Sequence, residues 1–236
     1  MSIINTSDLP IDFRESLNKQ TEKEKAREDF HTNRSGNFTA SELHKLITPT
    51  FKIASNDTAR NYVFEKAFEK ATGQTARQEF RSQNTDWGNQ YELQAIESYK
   101  EHTGLVVSHT GDNQKFLKHR YLPVGSNPDG ILESGHTLEC KCPANGGEQL
   151  KNLLCGQDIN KFKSMRFNYF IQTQVQIWLA EKDWGDFYTF RPNVPEYMTR
   201  YYLRIYRDDF TIKQIEEAVI KASSEVEDIL KLLNYD

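Results

Sequence analysis

The sequence predicts a mixed central β-sheet flanked by helices, an α/β or α+β layered fold, and three observations carry that expectation. Helical patterns come first, extended segments sit in the middle, and a helix, two strands and a last helix follow. The stretch "RYYLRIYR" alternates Tyr201, Leu203 and Ile205 with Arg200, Tyr202, Arg204 and Tyr206, the period of a half-buried strand. With 236 residues, 37% hydrophobic and 12% aromatic, the chain has material for one medium domain with a real core.

Residues 1–18 read as an irregular arm, and "NKQTEKEKAREDFHTNR" as a charged, solvated helix with little apolar face. In "FTASELHKLI", Thr39 and Glu42 have capping-box spacing ahead of Leu43, Leu46 and Ile47, which predicts a helix from near Ala40 that stops before Pro49. A helix is expected from about Asp57 to Ala71, with Tyr62, Val63, Ala67 and Phe68 inward and Gly73 closing it. Another runs from about Trp87 to His102 and stops at Gly104. Leu105 to Ser108 begins extended structure, and Ile131 to Cys142 forms a hairpin around "ESGH". Residues 144–166 read as a polar, loop-rich connection. "NYFIQTQVQIWLAEK" is helical, with Ile171, Val175, Trp178 and Leu179 on one stripe. "DFYTFRP" and "RYYLRIYR" are strands, and from Asp209 a long amphipathic helix carries Ile212, Ile215, Val219, Val226, Ile229 and Leu233.

The net charge of −4 is no basic signature, so a polyanion would have to be met by a local patch. Three cysteines make no even disulfide framework, and Cys140, Cys142 and Cys155 lack the fourth ligand and the histidine spacing of a zinc or iron–sulfur site. No stretch approaches the ~20 apolar residues of a membrane helix, and the N-terminus has no signal-peptide pattern. A soluble protein of a reducing, cytoplasmic compartment is expected.

The chemistry concentrates in "SNPDGILESGHTLECKCP". Glu139 and Lys141 project from one face of their strand, while Leu138, Cys140 and Cys142 project from the other. The turn decides where Asp129 lands. A two-residue loop at Ser134 and Gly135 pairs it with Cys140, on the wrong face; a three-residue loop with a glycine bulge pairs it with Lys141, on the right one. The second is preferred because it gives the three residues a common purpose. Two carboxylates meeting at a point repel unless a cation holds both, and oxygen ligands of this hardness suit Mg²⁺ or Mn²⁺. Lys141 is then placed to orient or help deprotonate a water attacking phosphorus, which is phosphodiester hydrolysis. The bland alternative is a solvated Glu-x-Lys pair on a surface hairpin.

In the helix from Trp87, Gly88, Glu92, Ala95, Ile96 and Tyr99 share one stripe, so Glu92 lies on the apolar face and needs a partner, either this acidic site or a core salt bridge. Gln172 and Gln176 recur on one side of a packing helix, where they border the apolar stripe or position a water or phosphate.

Taken in order, "WGNQYE", "NPDG", "LECKCP" and "YFIQTQVQ" resemble the PD-(D/E)XK nuclease superfamily, specifically the YqaJ-type viral recombinase group, the phage lambda exonuclease family. "RSGNFTASELHKLI" also resembles that family's N-terminal segment, so the similarity runs from about Arg34 to Trp178. It implies a restriction-endonuclease-like core: one nuclease domain over 1–236, with the arm and charged helix at 1–30, the catalytic core at 34–190 and the C-terminal helix at 208–236. Asp129 and Glu139 would ligate the catalytic metal with the Cys140 carbonyl. Lys141 would activate the water, Glu92 would complete the acidic site, directly or through water, and Gln172 would support the nucleophile. Arg34 and Ser41 match residues that hold a terminal 5′-phosphate, and a helix N-terminus at Ser41 would favour that anion. Asn127 stands where the family enzyme has Ser, which alters the geometry of a further phosphate contact.

The resemblance implies a Mg²⁺-dependent 5′–3′ exonuclease, with Mn²⁺ as a substitute, that digests one strand of linear duplex DNA and leaves 3′ overhangs. It also implies a single-strand annealing protein as partner, a homotrimeric ring around the DNA, and a phage or bacterial cytoplasmic setting. A catalytically inactive DNA-end-binding protein and a site-specific endonuclease are the competing readings. Intact Asp129, Glu139, Lys141 and Glu92 speak against the first, and the end-phosphate pocket against the second.

Overall fold

The computed structural model describes residues 35–77 and 83–233. The N-terminal arm, the charged helix and Arg34 lie outside the described residues.

The main sheet has five strands: β2 (Val107–Thr110), β5 (Gly130–Leu132), β6 (Thr137–Lys141), β7 (Trp184–Phe190) and β8 (Arg200–Tyr206), in the order β2-β5-β6-β7-β8. All neighbours are antiparallel except β6 and β7, so the sheet is mixed. A smaller sheet joins β1 (Phe38–Thr39), β4 (Val124–Ser126) and β3 (Leu117–Lys118), with β4 in the middle.

The parallel β6–β7 pair explains the largest departure from expectation. Parallel neighbours need a crossover connection rather than a hairpin, and helices normally supply it. Residues 144–166, expected as a loop, therefore hold α3 (Gly146–Cys155) and α4 (Ile159–Met165), followed by α5 (Phe167–Leu179). The helical period of α3 is masked because its inward face mixes Gln149 and Asn152 with Leu153 and Cys155. Gln149 and Asn152 are buried, at 1% and 0% exposure, while Leu150 and Leu154 face outward. Asn145 caps α3 by accepting from the Gly147 N–H, and Asp158 caps α4 by accepting from Asn160 and Lys161.

Helices cover both sheet faces. On one side α2 (Gln83–Thr103) packs Ala95, Ile96 and Tyr99 against Leu132, Leu138, Cys140 and Tyr188. A buried hydrogen bond pins it there: the Tyr99 hydroxyl donates to Asp186 Oδ2 at 2.6 Å, and Arg204 balances the same carboxylate from the neighbouring strand. On the other side α5 packs Phe170, Ile171, Val175 and Ile177 against Phe187, Leu203 and Ile205. Outside it lie α1 (Asp57–Thr72) and α6 (Asp209–Leu232), which presents Ile212, Ile215, Val219 and Val226 inward as expected. Gly73, in the left-handed region, caps α1, but Phe68, expected inward, is 47% exposed.

The expected helix from Ala40 does not form. Phe38 and Thr39 pair in parallel with Val124 and Gly125, which takes Thr39 into a strand. Only a 3₁₀ turn at Leu43–Leu46 follows, with no side-chain cap, and Glu42 pairs with Lys45 instead of closing a capping box. Leu43, Leu46 and Ile47 are buried all the same, because an edge-on turn suffices to bring them to the core.

Candidate active site

The hairpin between β5 and β6 sets the geometry of the candidate site. The Leu132 N–H donates to the His136 carbonyl and the Gly135 N–H to the Leu132 carbonyl, so residues 133–135 form a three-residue loop. Gly135, at φ 82°, takes the left-handed position that closes such a loop, where a side chain would be strained. The loop thus has the expected length but begins one residue earlier, because the glycine must be its last member. The register becomes Gly130 opposite Leu138 and Ile131 opposite Thr137. One step on, Asp129 stands level with Glu139, opposite neither Cys140 nor Lys141, so both registers considered from the sequence are corrected. Residues directly opposite share a face, so Asp129 still joins Glu139 and Lys141.

Proline has a definite role here. In this ladder Leu132–His136 and Gly130–Leu138 are the pairs that exchange backbone bonds, so the next would be residue 128 with Cys140. Residue 128 is proline and has no N–H to give. The Cys140 N–H is taken by the side chain, donating to Asp129 Oδ2 at 2.8 Å. The Cys140 carbonyl, on the same side of the strand, is left without a ladder donor from β5. The Asp129 and Glu139 carboxylates and the Cys140 carbonyl are thus hard oxygen donors at neighbouring positions of the hairpin.

Glu139 is 1% exposed, and its oxygens are gripped from α5: Gln172 Nε2 donates to Oε1 at 2.5 Å, and Gln176 Nε2 donates to Oε2. Gln172 and Gln176 are thus not the border of an apolar stripe. All of α5 from Phe170 to Ile177 is buried, and the two amides, four residues apart, point at one carboxylate. Lys141 Nζ pairs with Glu139 Oε1 and lies 3.8 Å from Asp129 Oδ2. It also lies 5.9 Å from the centre of the Tyr169 ring, whose other cationic neighbour is the Arg166 guanidinium at 4.7 Å. Gln176 is paired with Gln172 by its spacing, whereas Tyr169 has no distinguishing signal in the sequence beyond lying one turn before Gln172.

The electrostatics follow from burial. The Asp129 carboxyl is pushed well above the ordinary carboxylate range, first by burial and then by the Glu139 charge, with the Lys141 ammonium only partly offsetting them. Burial works against the charged form of Lys141, yet the Glu139 and Asp129 charges outweigh it and hold the amine protonated. Glu92, on the α2 stripe, is raised by burial and by Glu139, while Gln114 Nε2 donates to it at 3.3 Å. Its charge reaches Asp129, but it does not line the cavity formed by the other groups.

That cavity, about 190 Å³, brings together Ser41, Asn127, Asp129, Glu139, Lys141 and Gln172. Ser41 enters from a turn rather than from a helix, so it has no helix dipole behind it. Thr39 Oγ1 and Asn127 Oδ1, from residues lining the same cavity, are buried without a hydrogen-bond partner among the described residues. Phe116 forms a wall: its ring lies so close over Gly125 that an added Cβ would meet it at 2.1 Å. Among the described residues no three His, Cys, Asp or Glu side chains are arranged to hold a metal ion by themselves. Two carboxylates with a backbone carbonyl suit a cation that keeps part of its water shell, as Mg²⁺ does.

Residues 29–183 match the YqaJ-like viral recombinase domain. The chain belongs to the YqaJ-like viral recombinase family. All the candidate residues from Arg34 to Gln172 fall within the matched segment. Among solved structures, an alkaline exonuclease (LHK-Exo) from Laribacter hongkongensis superposes with a TM-score of 0.74 at 24% identity, over 88% of this chain and 96% of that one. The same enzyme in complex with dAMP gives 0.74 at 26% identity, over 87% and 95%. A phage-related exonuclease from Haemophilus somnus 129PT gives 0.67 at 20%, over 84% and 96%. Comparison with curated proteins found no match. The YqaJ-like chain thus has the PD-(D/E)XK fold of the alkaline exonucleases, with its mixed sheet between helices, as the sequence led one to expect.

Proposed function

We propose that this YqaJ-like chain is a Mg²⁺-dependent 5′–3′ exonuclease that acts as a single nuclease domain. It digests one strand of linear double-stranded DNA and leaves 3′ single-stranded overhangs for recombination by strand annealing. The observation that carries the reading is the convergence of Asp129, Glu139 and Lys141 in one cavity with Ser41 and Asn127. The complex of the Laribacter relative with dAMP supports it, since a nucleoside monophosphate is the kind of product that stepwise digestion releases.

In this reading Asp129, Glu139 and the Cys140 carbonyl hold the divalent cation, Mg²⁺ or in its place Mn²⁺, with Glu92 contributing through water. When bound, the cation supplies Lewis-acid stabilisation of charge on the phosphate oxygens. Gln172 and Gln176 keep the Glu139 carboxylate from rotating. Lys141 Nζ orients the attacking water; with the Asp129 and Glu139 charges offset by a bound cation, the amine can give up its own proton to solvent and accept the water's, and the water oxygen bonds to phosphorus as the bond to the leaving oxygen breaks. Ser41 and Asn127, with Arg34, receive the terminal 5′-phosphate. Double-stranded ends are the substrate, an annealing protein takes the product strand, and a homotrimeric ring holds the enzyme on its track. No described helix is long and apolar enough to cross a membrane; the setting proposed for this action on DNA is the cytoplasm of a bacterium or a phage-infected cell.

The test is digestion of linear duplex carrying 5′-phosphate or 5′-hydroxyl ends, with and without Mg²⁺, by wild type and Lys141→Ala. Loss of cleavage with DNA binding retained is expected in the variant, and loss of the preference for phosphorylated ends on replacing Arg34. Cutting of closed circular DNA would favour an endonuclease instead, and Mg²⁺-independent cleavage would remove the reading altogether.

A further inference from the structure

A second concavity, a groove of about 720 Å³, opens beside the start of β7. Its walls are the 118–121 turn between β3 and β4 and the C-terminal end of α5, with Lys182 and Arg207 from the flanks of β7 and β8. Two features set it apart from an ordinary surface hollow.

The first is charge. On a chain of net charge −4, the groove gathers Lys118, Arg120, Lys182 and Arg207. Two acids, Glu181 and Asp183, share it; Asp183 is engaged by His136 at 2.9 Å, and Arg207 is matched by Asp209 outside the groove. Among the described residues, Lys118, Arg120 and Lys182 have no acidic side chain at ion-pair distance. Four cations against two acids leave the groove net positive, which attracts a polyanion.

The second is aromatic surface interleaved with that charge. The His119 ring lies against Trp178, centroids 4.7 Å apart and tilted by 41°. Tyr121 is 79% exposed, with the Arg120 guanidinium 5.2 Å from its ring centre. Duplex DNA offers phosphates to cations but keeps its base faces stacked inside. Only an unstacked strand offers both phosphates and open base faces, which is what cations alternating with rings recognise.

We propose that this groove binds single-stranded DNA. The proposal rests on the nuclease reading above, since the strand left uncut has to go somewhere as its partner is removed. Position supports it: Phe116, in the wall of the active-site cavity, immediately precedes β3, and Lys118, at the end of β3, lines the groove. The groove and the cavity wall are thus two residues apart along the chain. Phosphates of the strand lie along Lys118, Arg120 and Lys182, and bases stack on Tyr121 and on the His119–Trp178 pair.

The experiment measures fluorescence anisotropy of a labelled 20-nucleotide oligo-dT with wild type, Tyr121→Ala and the double variant Lys118→Ala/Arg120→Ala, in EDTA so that nothing is cut. Cleavage of a short 5′-phosphorylated duplex in Mg²⁺ and sedimentation of each variant run in parallel. Tyr121→Ala is expected to weaken oligo-dT binding roughly 10-fold, the loss of one stacked base. The double variant is expected to lower the slope of log affinity against log salt by about 1.4, two single-strand phosphate contacts. Both variants should still cut the short duplex. Unchanged oligo-dT affinity in both variants, equal binding of poly-glutamate by wild type, or a changed oligomeric state in the variants would overturn the proposal. Failure of wild type to cut any duplex, with oligo-dT binding still dependent on Tyr121, would overturn the nuclease reading and leave the groove assignment standing.

Discussion

Asp129 Oδ2 accepts from the Cys140 backbone N–H at 2.8 Å, tying the residue that enters β5 to the middle of β6. The bond takes the Cys140 N–H beside Pro128, whose missing N–H leaves the Cys140 carbonyl without its ladder donor, and it aims the carboxylate. Asp129→Asn preserves the shape and an oxygen that accepts from Cys140, but removes the charge. The variant should fold with a melting temperature near wild type and lose Mg²⁺-dependent cleavage. A thermal scan beside a nuclease assay checks this, and cleavage at the wild-type rate would separate Asp129 from the chemistry.

The buried grip on Glu139 makes Gln176 a positioning residue for the proposed reaction. Gln176→Leu leaves Glu139 Oε2 without its donor inside the core, which costs about 1–3 kcal/mol of stability. It should also weaken cation binding by about 10–100-fold, as loss of a group that orients a ligand does. A Mg²⁺ or Mn²⁺ titration of activity would show a raised midpoint with the maximal rate largely recovered at high metal. A purely structural role would lower the maximal rate and leave the midpoint alone.

For Lys141→Ala a loss of about 10²–10⁴-fold in cleavage rate is expected, the range for a positioned proton-transfer group. The same change takes the ammonium from between the buried Glu139 and the half-buried Asp129, so the variant should bind a divalent cation at least as tightly as wild type. Calorimetric titration with Mn²⁺ measures that directly, and weaker binding would argue that Lys141 helps to build the cation site.

Phe116 and Gly125 should behave as one unit. Gly125→Ala places a methyl group where the ring now lies, an overpacking expected to cost about 1–3 kcal/mol. Combining it with Phe116→Ala should restore much of that loss, because the clashing ring is gone. Urea unfolding of the two single variants and the double variant gives the coupling, and strict additivity would show that the ring escapes the clash by moving.

Acid should weaken the attachment of α6. Burial alone raises the Asp208 pKa, but bonds from Lys163 Nζ and the Thr211 N–H and the Lys163 charge outweigh it, so its carboxyl titrates below the usual range. A depressed folded pKa means that the contribution is full above the unfolded value, about 3.9, and fades as pH falls through the folded one. The stability gap between wild type and Asp208→Asn should therefore be constant at neutral pH and close below about pH 4. Urea midpoints across that range test it; a gap that widens in acid would contradict the sign.

The elements with strong local signals were legible from the chain. The alternation of Tyr201, Leu203 and Ile205, the stripe of α6 and the glycine stop of α1 are all set by neighbours within a few residues. The family motifs around Asp129, Glu139 and Lys141 were equally visible, and residues 29–183 match the family they suggest. Less legible was α3, because its inward face carries Gln149 and Asn152 beside Cys155, and the burial of Gln149 depends on partners far along the chain, Thr189 Oγ1 and the Met198 carbonyl. The capping-box pattern at Thr39 and Glu42 misled, since the pairing of β1 with β4, nearly ninety residues away, takes Thr39 into a strand.

By itself, the sequence determined which residue types lie at which spacing: two acids and an amine in one hairpin, a third acid on an apolar stripe, two amides one helical turn apart. Only the tertiary structure decided the register that sets Asp129 level with Glu139, and the burial that turns Gln172 and Gln176 toward one carboxylate. The reason is physical. Periodicity fixes which face a side chain shares with its own neighbours, whereas convergence between β5, β6 and α5 depends on turn geometry and on the close packing of a buried helix against the sheet.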